Sequence, residues 1–179
     1  MGDYSSKVTD GGDASGETEQ FPRPPFSFTD DGGRTIDVRR LDGDIGALVE
    51  MYEQMDPSDR SQGIPPRSES RRESWIGSLT DEGMNLIAWH GGVTVGHAVL
   101  MPMEVTRLEL AIFVRSDYQQ SHIGSNLLEC LLGWAQEEEG IETVWLSVER
   151  YNDVALSLYE KVGFEKLSGD SEYKMERGI

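Results

Sequence analysis

Apolar positions keep no period over the first 34 residues and then take one up. Residues 1–34 are dominated by Gly, Ser, Thr and Asp and contain Pro22, Pro24 and Pro25. Such a segment buries too little apolar surface to offset its ordering entropy, so 1–34 reads as an acidic, disordered tail and 35–179 as the domain. Phe21, Phe26 and Phe28 are its apolar exceptions and are taken with the solvated leader. Residues 35–40 (TIDVRR) predict a first strand. Ile45, Leu48, Val49 and Tyr52 recur at helical spacing, with Asp42 or Asp44 as N-cap. A turn-rich loop closed by Pro65 and Pro66 leads to a second helix over 68–79, with Trp75, Ile76 and Leu79 on one face. Residues 85–90 and 93–103 predict two strands joined by Gly91-Gly92, a hairpin signal, and 107–114 another strand.

The period then switches. Ile123, Leu127, Leu128, Leu131 and Ala135 fall on one helical face ahead of Gly140. Residues 142–149 (ETVWLSVE) predict a strand. Residues 152–162 predict a helix with Ala155, Leu158, Tyr159 and Val162 inward, stopped by Gly163. Two short strands, 164–167 and 172–176, close the chain. The order β-α-α-β-β-β-α-β-α-β-β describes an α/β domain with a mixed sheet.

Charge narrows the class of partner. The 179 residues carry 33 acids against 16 bases, a formal net charge of −17. Such a surface neither neutralises a run of phosphates nor docks on anionic lipid, which excludes a nucleic-acid binder and a membrane-surface protein. Twelve of the bases are arginine and four lysine (Lys7, Lys161, Lys166, Lys174). An acid excess with few lysines resembles proteins of halophilic organisms, whose molar salt shortens the Debye length to about 3 Å and relieves self-repulsion. A single cysteine, Cys130, forms no internal disulfide, and the three histidines have no metal-ligand spacing, so no metal is expected. With no apolar run near ~20 residues and no leader pattern, the reading is a cytoplasmic protein.

Two stretches carry candidate chemistry. In VRSDYQQSHIGSNLLECLL (114–132) a strand ends and a helix begins, presenting free backbone N–H groups and a positive dipole end to an anion. Residues 152–164 read N-x-x-A-x-x-L-Y-x-x-x-G-F, from Asn152 through Tyr159 to Phe164. Asn152 suits a helix cap, and Gly163 a left-handed turn into the next strand.

With both stretches in this order and a strand between them, the chain resembles the GNAT superfamily of acyl-CoA-dependent N-acyltransferases, over roughly residues 35–179 and most sharply over 109–164. Val114, Tyr118, Gln119 and Gly124 match its V-x-P-x-Y and Q/R-x-x-G-x-G/A pattern. Ser116 replaces the common proline, and His122 the common first glycine. Histidine is sterically acceptable there because a helix-start residue needs no positive φ. The resemblance implies acetyl-CoA as cosubstrate, its pyrophosphate on the backbone of Gln119, Gln120, Ser121, His122, Ile123, Gly124 and Ser125. It implies a pantetheine arm lying along Ile112, Phe113 and Val114, with a backbone N–H near Ile112 or Phe113 polarising the thioester carbonyl. Asn152 would hold a pantetheine amide, and Tyr159 would protonate the departing thiolate, a role suited to a phenol of reference pKa about 10.

The expected reaction is direct transfer of an acetyl group to a primary amine in a ternary complex; the rival is a catalytically silent acyl-CoA-binding or regulatory module. Three sources of a general base remain open: Glu109, Glu149, or a water ordered by Ser147. His97 reads as a core histidine and His90 as a turn-edge surface residue. The expected acceptor wall carries Asp56, Asp59, Arg60, Gln62, Arg67, Glu69, Arg71 and Arg72, a mixed set that selects no amine. The acceptor is a small molecule or a protein, and a homodimer stays open.

Overall fold

The computed structural model describes residues 20–43, 45–56, 64–167 and 172–179. Eight strands form one sheet: β1 (Phe26–Thr29), β2 (Thr35–Arg40), β3 (Met84–His90), β4 (Val93–Pro102), β5 (Arg107–Val114), β6 (Thr143–Glu149), β7 (Glu165–Lys166) and β8 (Glu172–Gly178). Their spatial order is β1-β2-β3-β4-β5-β6-β8-β7. Every neighbouring pair is antiparallel except β5 and β6. A parallel pair needs a crossover, and the helix between the two supplies it. The helices are α1 (Ile45–Gln54), α2 (Glu69–Glu82), α3 (Ile123–Ala135) and α4 (Asp153–Lys161).

Helices cover both sheet faces. Leu48, Met51 and Tyr52 of α1 and Ile76 of α2 pack with Ile87 and Phe113 on one face. Leu127, Leu128, Leu131 and Leu132 of α3 pack with Leu86, Val95, Ala98 and Leu110 on the other. That double cover explains why β4 is buried almost end to end instead of alternating between buried and exposed positions. At Gly96 a Cβ would stand 2.9 Å from Leu127 Cδ1, so α3 lies close over β4 there and a side chain would have to displace the tip of Leu127. Ile45, assigned inward from its spacing, is exposed at the open end of α1, and Met51 takes a buried place instead. In α4, Leu156 is buried although the spacing did not single it out. The N-cap candidate Asp44, the loop residues Asp59, Arg60 and Gln62, and residues 1–19 lie outside the described residues. No helix among the described residues is long and apolar enough to cross a membrane.

The tail boundary at residue 34 is corrected. Residues 26–29 pair antiparallel with β2 and extend the sheet, from Phe26 opposite Val38 to Thr29 opposite Thr35. Asp30 turns the hairpin: its Oδ1 accepts from Gly32 N at 2.9 Å and Arg34 N at 2.8 Å, and Gly33 takes φ +75°. Phe26 and Phe28 pack against the core, and Phe21 is buried there. Three aromatic side chains and a paired strand outweigh the polar composition around them.

Gly133 of α3 makes this docking possible, because a Cβ there would overlap the Pro22 carbonyl. Alanine ordinarily gains about 1 kcal/mol over glycine inside a helix. Here Gly133→Ala is expected to destabilise by about 1–3 kcal/mol, the usual range for overpacking. Urea unfolding measures it, and an unchanged or raised midpoint would show that this segment does not contribute to the fold.

Candidate active site

β5 and β6 are paired only at Arg107–Thr143, Leu108–Val144 and Glu109–Trp145, then diverge. Beyond Glu109, β5 keeps its ladder with β4 up to Val114 and has no ladder partner toward β6. β6 in turn pairs with β8 along its whole length. A cleft of about 460 Å³ opens at the divergence. Its lining includes Glu109, Ile112, Phe113, Val114, Gln119, Ser147, Asn152 and Tyr159, residues far apart in sequence. Met55, Ile64, Trp75, Met101 and Met103 form an apolar end; the first three lie in the segment expected to form the acceptor wall, and the two later methionines were given no site role.

The loop between β5 and α3 begins with a single 3-10 turn, Ser116–Tyr118. Gln119 Nε2 donates to Val114 O at 3.0 Å and so fastens the loop to the end of β5. Gln120 and His122 both have positive φ, +56° and +62°. The expectation that position 122 needs no positive φ is thus corrected: His122 is the left-handed N-cap of α3. Left-handed backbone is uncommon outside glycine and costs about 1–2 kcal/mol per residue. It explains why glycine suits this position, and two such residues in one loop mark a functional candidate.

The His122 side chain caps no N–H of α3. The first-turn N–H groups of Ile123, Gly124 and Ser125 therefore point out of the helix with the positive end of its dipole. The Ile123 side chain is buried in the core, so only its backbone reaches the loop surface. At Gly124 a Cβ would meet Val114 Cγ2 at 3.8 Å and Leu158 Cδ2 at 3.9 Å, ordinary contacts. Packing does not demand glycine here; what glycine leaves open is space above the first turn. Uncapped donors, left-handed backbone and open space together fit an extended anion such as a diphosphate. The hydroxyl of Ser121 donates to Gln119 O at 3.3 Å, bracing the loop from within.

Asn152 is the N-cap of α4, its Oδ1 accepting from Ala155 N at 3.1 Å. The cap leaves the amide Nδ2 as the donor that Asn152 presents at the cleft. Tyr159 sits two turns further on, its ring 5.8 Å from Phe164. Gly163, at φ +81°, turns the chain after α4 so that Phe164 arrives beneath that ring. Burial pushes the Tyr159 phenol up to about 12, so it stays protonated throughout the neutral range.

The three base candidates separate. Glu109 lines the cleft at the point of divergence, and burial raises its pKa, opposed by the charge of Lys174. Ser147 lines the cleft opposite, in register with Lys174 on β8. Glu149 is not part of the lining and is hydrogen-bonded by the exposed Tyr151. Cys130 is buried, and burial pushes its thiol up to about 12, which leaves it an inert packing residue. Among the described residues no three His, Cys, Asp or Glu side chains are grouped to hold a metal.

Behind the apolar end lies a buried polar chain. Asn85 Nδ2 donates to Leu79 O and Gly83 O, both at 2.7 Å, so its Oδ1 is the acceptor. His97 Nε2 therefore donates to Asn85 Oδ1 at 2.9 Å, and Tyr52 Oη donates to His97 Nδ1 at 2.6 Å. His97 is a neutral core histidine of one fixed tautomer. The Tyr52 ring meets Trp75 and Phe113 edge-on at 5.1 Å and 5.4 Å, so the chain positions two cleft side chains. His90 is not a free surface residue: its Nδ1 pairs with Tyr118 Oη at 2.8 Å.

Comparison with known proteins agrees with this geometry. Residues 47–164 match the model of the acetyltransferase (GNAT) family. Over 55 residues the chain is 42% identical to the ribosomal protein bS18-alanine N-acetyltransferase of Escherichia coli, a stretch covering 31% of this chain and 36% of that enzyme. The GNAT domain of PAT from S. lividans superimposes with a TM-score of 0.71, covering 86% of this chain and 96% of that one at 20% identity. The PaiA N-acetyltransferase of Thermoplasma acidophilum, solved in complex with coenzyme A, gives a TM-score of 0.61 at 25% identity, covering 80% and 99%. A cleft at a parting sheet, an uncapped helix start and a family match that contains both leave one assignment: the chain belongs to the GNAT acetyltransferase family.

Proposed function

We propose that this protein transfers the acetyl group of acetyl-CoA to a primary amine by direct attack within a ternary complex. The observation that carries the reading is the divergence of β5 from β6, with Glu109, Tyr159 and Gln119 of the loop before α3 lining one cleft. The coenzyme A complex of the Thermoplasma relative supports the choice of cosubstrate.

In this reading the diphosphate rests on the backbone of 119–125, and the pantetheine arm pairs with the unladdered stretch of β5 at Ile112–Val114. Asn152 Nδ2 donates to a pantetheine carbonyl. Glu109, its basicity raised by burial, takes a proton from the ammonium form of the acceptor, and Ser147 orders a water in support. The amine nitrogen forms the new bond to the thioester carbonyl carbon, a β5 N–H at Ile112 or Phe113 stabilising the oxyanion. The C–S bond breaks with its electron pair on sulfur, Tyr159 supplies the thiolate with a hydrogen bond and then a proton, and the second proton that nitrogen sheds as the amide forms passes through water to restore the Tyr159 phenol. Glu109 is the only charged residue of the lining among the described residues, and the acceptor amine meets it beside the apolar side chains of Met55, Ile64, Trp75, Met101 and Met103. We also infer a cytoplasmic enzyme of a salt-rich cell, because screening removes the repulsion between a −17 chain and an anionic cosubstrate.

Calorimetric titration with acetyl-CoA, followed by thiol release across a panel of amines, tests the reading. Saturation at one site with turnover of at least one amine is expected. The rate should rise with pH through a pKa above the ordinary glutamate value, and Glu109→Gln should remove that limb. Binding without turnover of any amine would establish the silent acyl-CoA module instead, and a limb retained in Glu109→Gln would transfer the base role to the water at Ser147.

A further inference from the structure

Between Ser116 and Glu149 the sequence holds no lysine or arginine, yet a diphosphate brings two negative charges to the loop at 119–125. The fold supplies a cation from elsewhere. Arg34, at the end of the β1–β2 turn, donates from Nη2 to Ser121 Oγ at 3.3 Å and from Nη1 to Asp117 O at 3.3 Å. Its Nε is held by Asp30 Oδ2 at 2.7 Å, and its guanidinium lies 4.2 Å from the centroid of the Tyr118 ring. Tyr118 is itself fixed by His90, so the platform under the guanidinium is rigid.

The alternative cations are engaged elsewhere. Arg115 forms a two-point pair with Asp117, both contacts at 3.1 Å, and reaches Gln54 Oε1 at 2.9 Å. Arg150 lies over the Tyr173 ring. The Asp30 carboxylate also accepts two backbone N–H groups, so its charge is shared among three donors.

Resting on the acyltransferase reading above, we propose that Arg34 is a cosubstrate-binding residue whose guanidinium meets the diphosphate of coenzyme A at the loop 119–125. The cofactor site is then completed by the N-terminal hairpin, which lies outside the residues 47–164 that match the family model. Asp30 and Tyr118 are positioning residues that aim it.

The test uses the full chain, with Arg34→Met and Arg34→Lys, titrated with coenzyme A and with pantetheine, which lacks the diphosphate and nucleotide. Arg34→Met keeps an apolar stem over Tyr118 and removes the charge. It is expected to weaken coenzyme A binding about tenfold, the order of one charge-assisted contact, with pantetheine binding, followed by ligand-observed NMR, unchanged. Arg34→Lys should fall between wild type and Arg34→Met. Undiminished coenzyme A binding in Arg34→Met overturns the proposal and leaves the acyltransferase reading standing. Equal weakening of both probes also overturns it, since that marks a purely structural role. A wild-type chain that binds no coenzyme A removes the acyltransferase reading itself, and the proposal with it.

Discussion

Tyr159→Phe is expected to lower kcat by about 100-fold or more, within the range typical of a single acid–base group, with little change in the KM for acetyl-CoA. The substitution removes one oxygen from a side chain whose ring is held by α4 and Phe164, so the cleft keeps its shape. What is lost appears only as the C–S bond breaks and charge builds on sulfur, and an interaction made only at that stage reduces kcat without loosening the ground state. The elevated phenol pKa sharpens the expectation. A phenol near 12 does not give its proton to a water-exposed thiolate, whose ordinary pKa is about 8.5. It does so only to a sulfur held in the same desolvated pocket. The rate should therefore show no descending limb from Tyr159 below about pH 10, its reference value. A kcat for Tyr159→Phe within twofold of wild type would remove the residue from the mechanism.

The second large effect concerns stability in mild acid. Burial lowers the His97 pKa to about 3 in the folded protein, whereas the unfolded chain titrates near the ordinary value of 6.5. Above pH 6.5 neither state binds this proton. As pH falls from 6.5 toward 3 the unfolded state takes it up and the folded state refuses it, so stability declines with falling pH. The loss attributable to His97 is about 2 kcal/mol by pH 5, above the range where ordinary carboxylates titrate. In His97→Gln that slope between pH 6.5 and 5 should flatten by about one proton. Its stability at pH 7 should already be lower by about 1–3 kcal/mol, because Tyr52 and Asn85 are left imperfectly paired. Urea titrations at a series of pH values measure both quantities, and an unaltered slope in the variant would show that His97 is not the titrating group. Because Tyr52 braces Trp75 and Phe113, the acid-sensitive residue also holds the apolar side of the cleft.

Local signals in the chain were sufficient wherever the structure is built from local contacts. Strand 107–114 has the bounds its apolar run predicts, α3 ends where its apolar face ends, Asn152 caps α4, and Gly163 takes a left-handed turn. Where partners are distant, the sequence is silent. FSFT at 26–29 is too short to declare a strand until β2 lies beside it, and Phe21 is buried only because α3 has a glycine at 133. Arg34 gives no hint that it will meet Ser121, which is brought to it by the sheet. His122 was legible as a departure from the family pattern, but its positive φ became visible only with the loop folded. Of the cleft, Glu109, Asn152 and Tyr159 could be read from motif position. The part of the apolar end from Met55 to Trp75 lies in the expected acceptor wall, but Met101 and Met103 could not be read as site residues, because only folding brings the β4–β5 hairpin beside α2.

The three residue pairs that join β5 to β6 also bear on how the molecule holds together. β1–β5 form one curtain and β6–β8 another, with a short seam between them. A pantetheine arm hydrogen-bonded to β5 inside the gap would lengthen that seam from within and tie the C-terminal curtain to the rest. On the proposed reading, cosubstrate would be mechanical reinforcement as well as reactant, and departure of the product would return the sheet to a seam of three pairs.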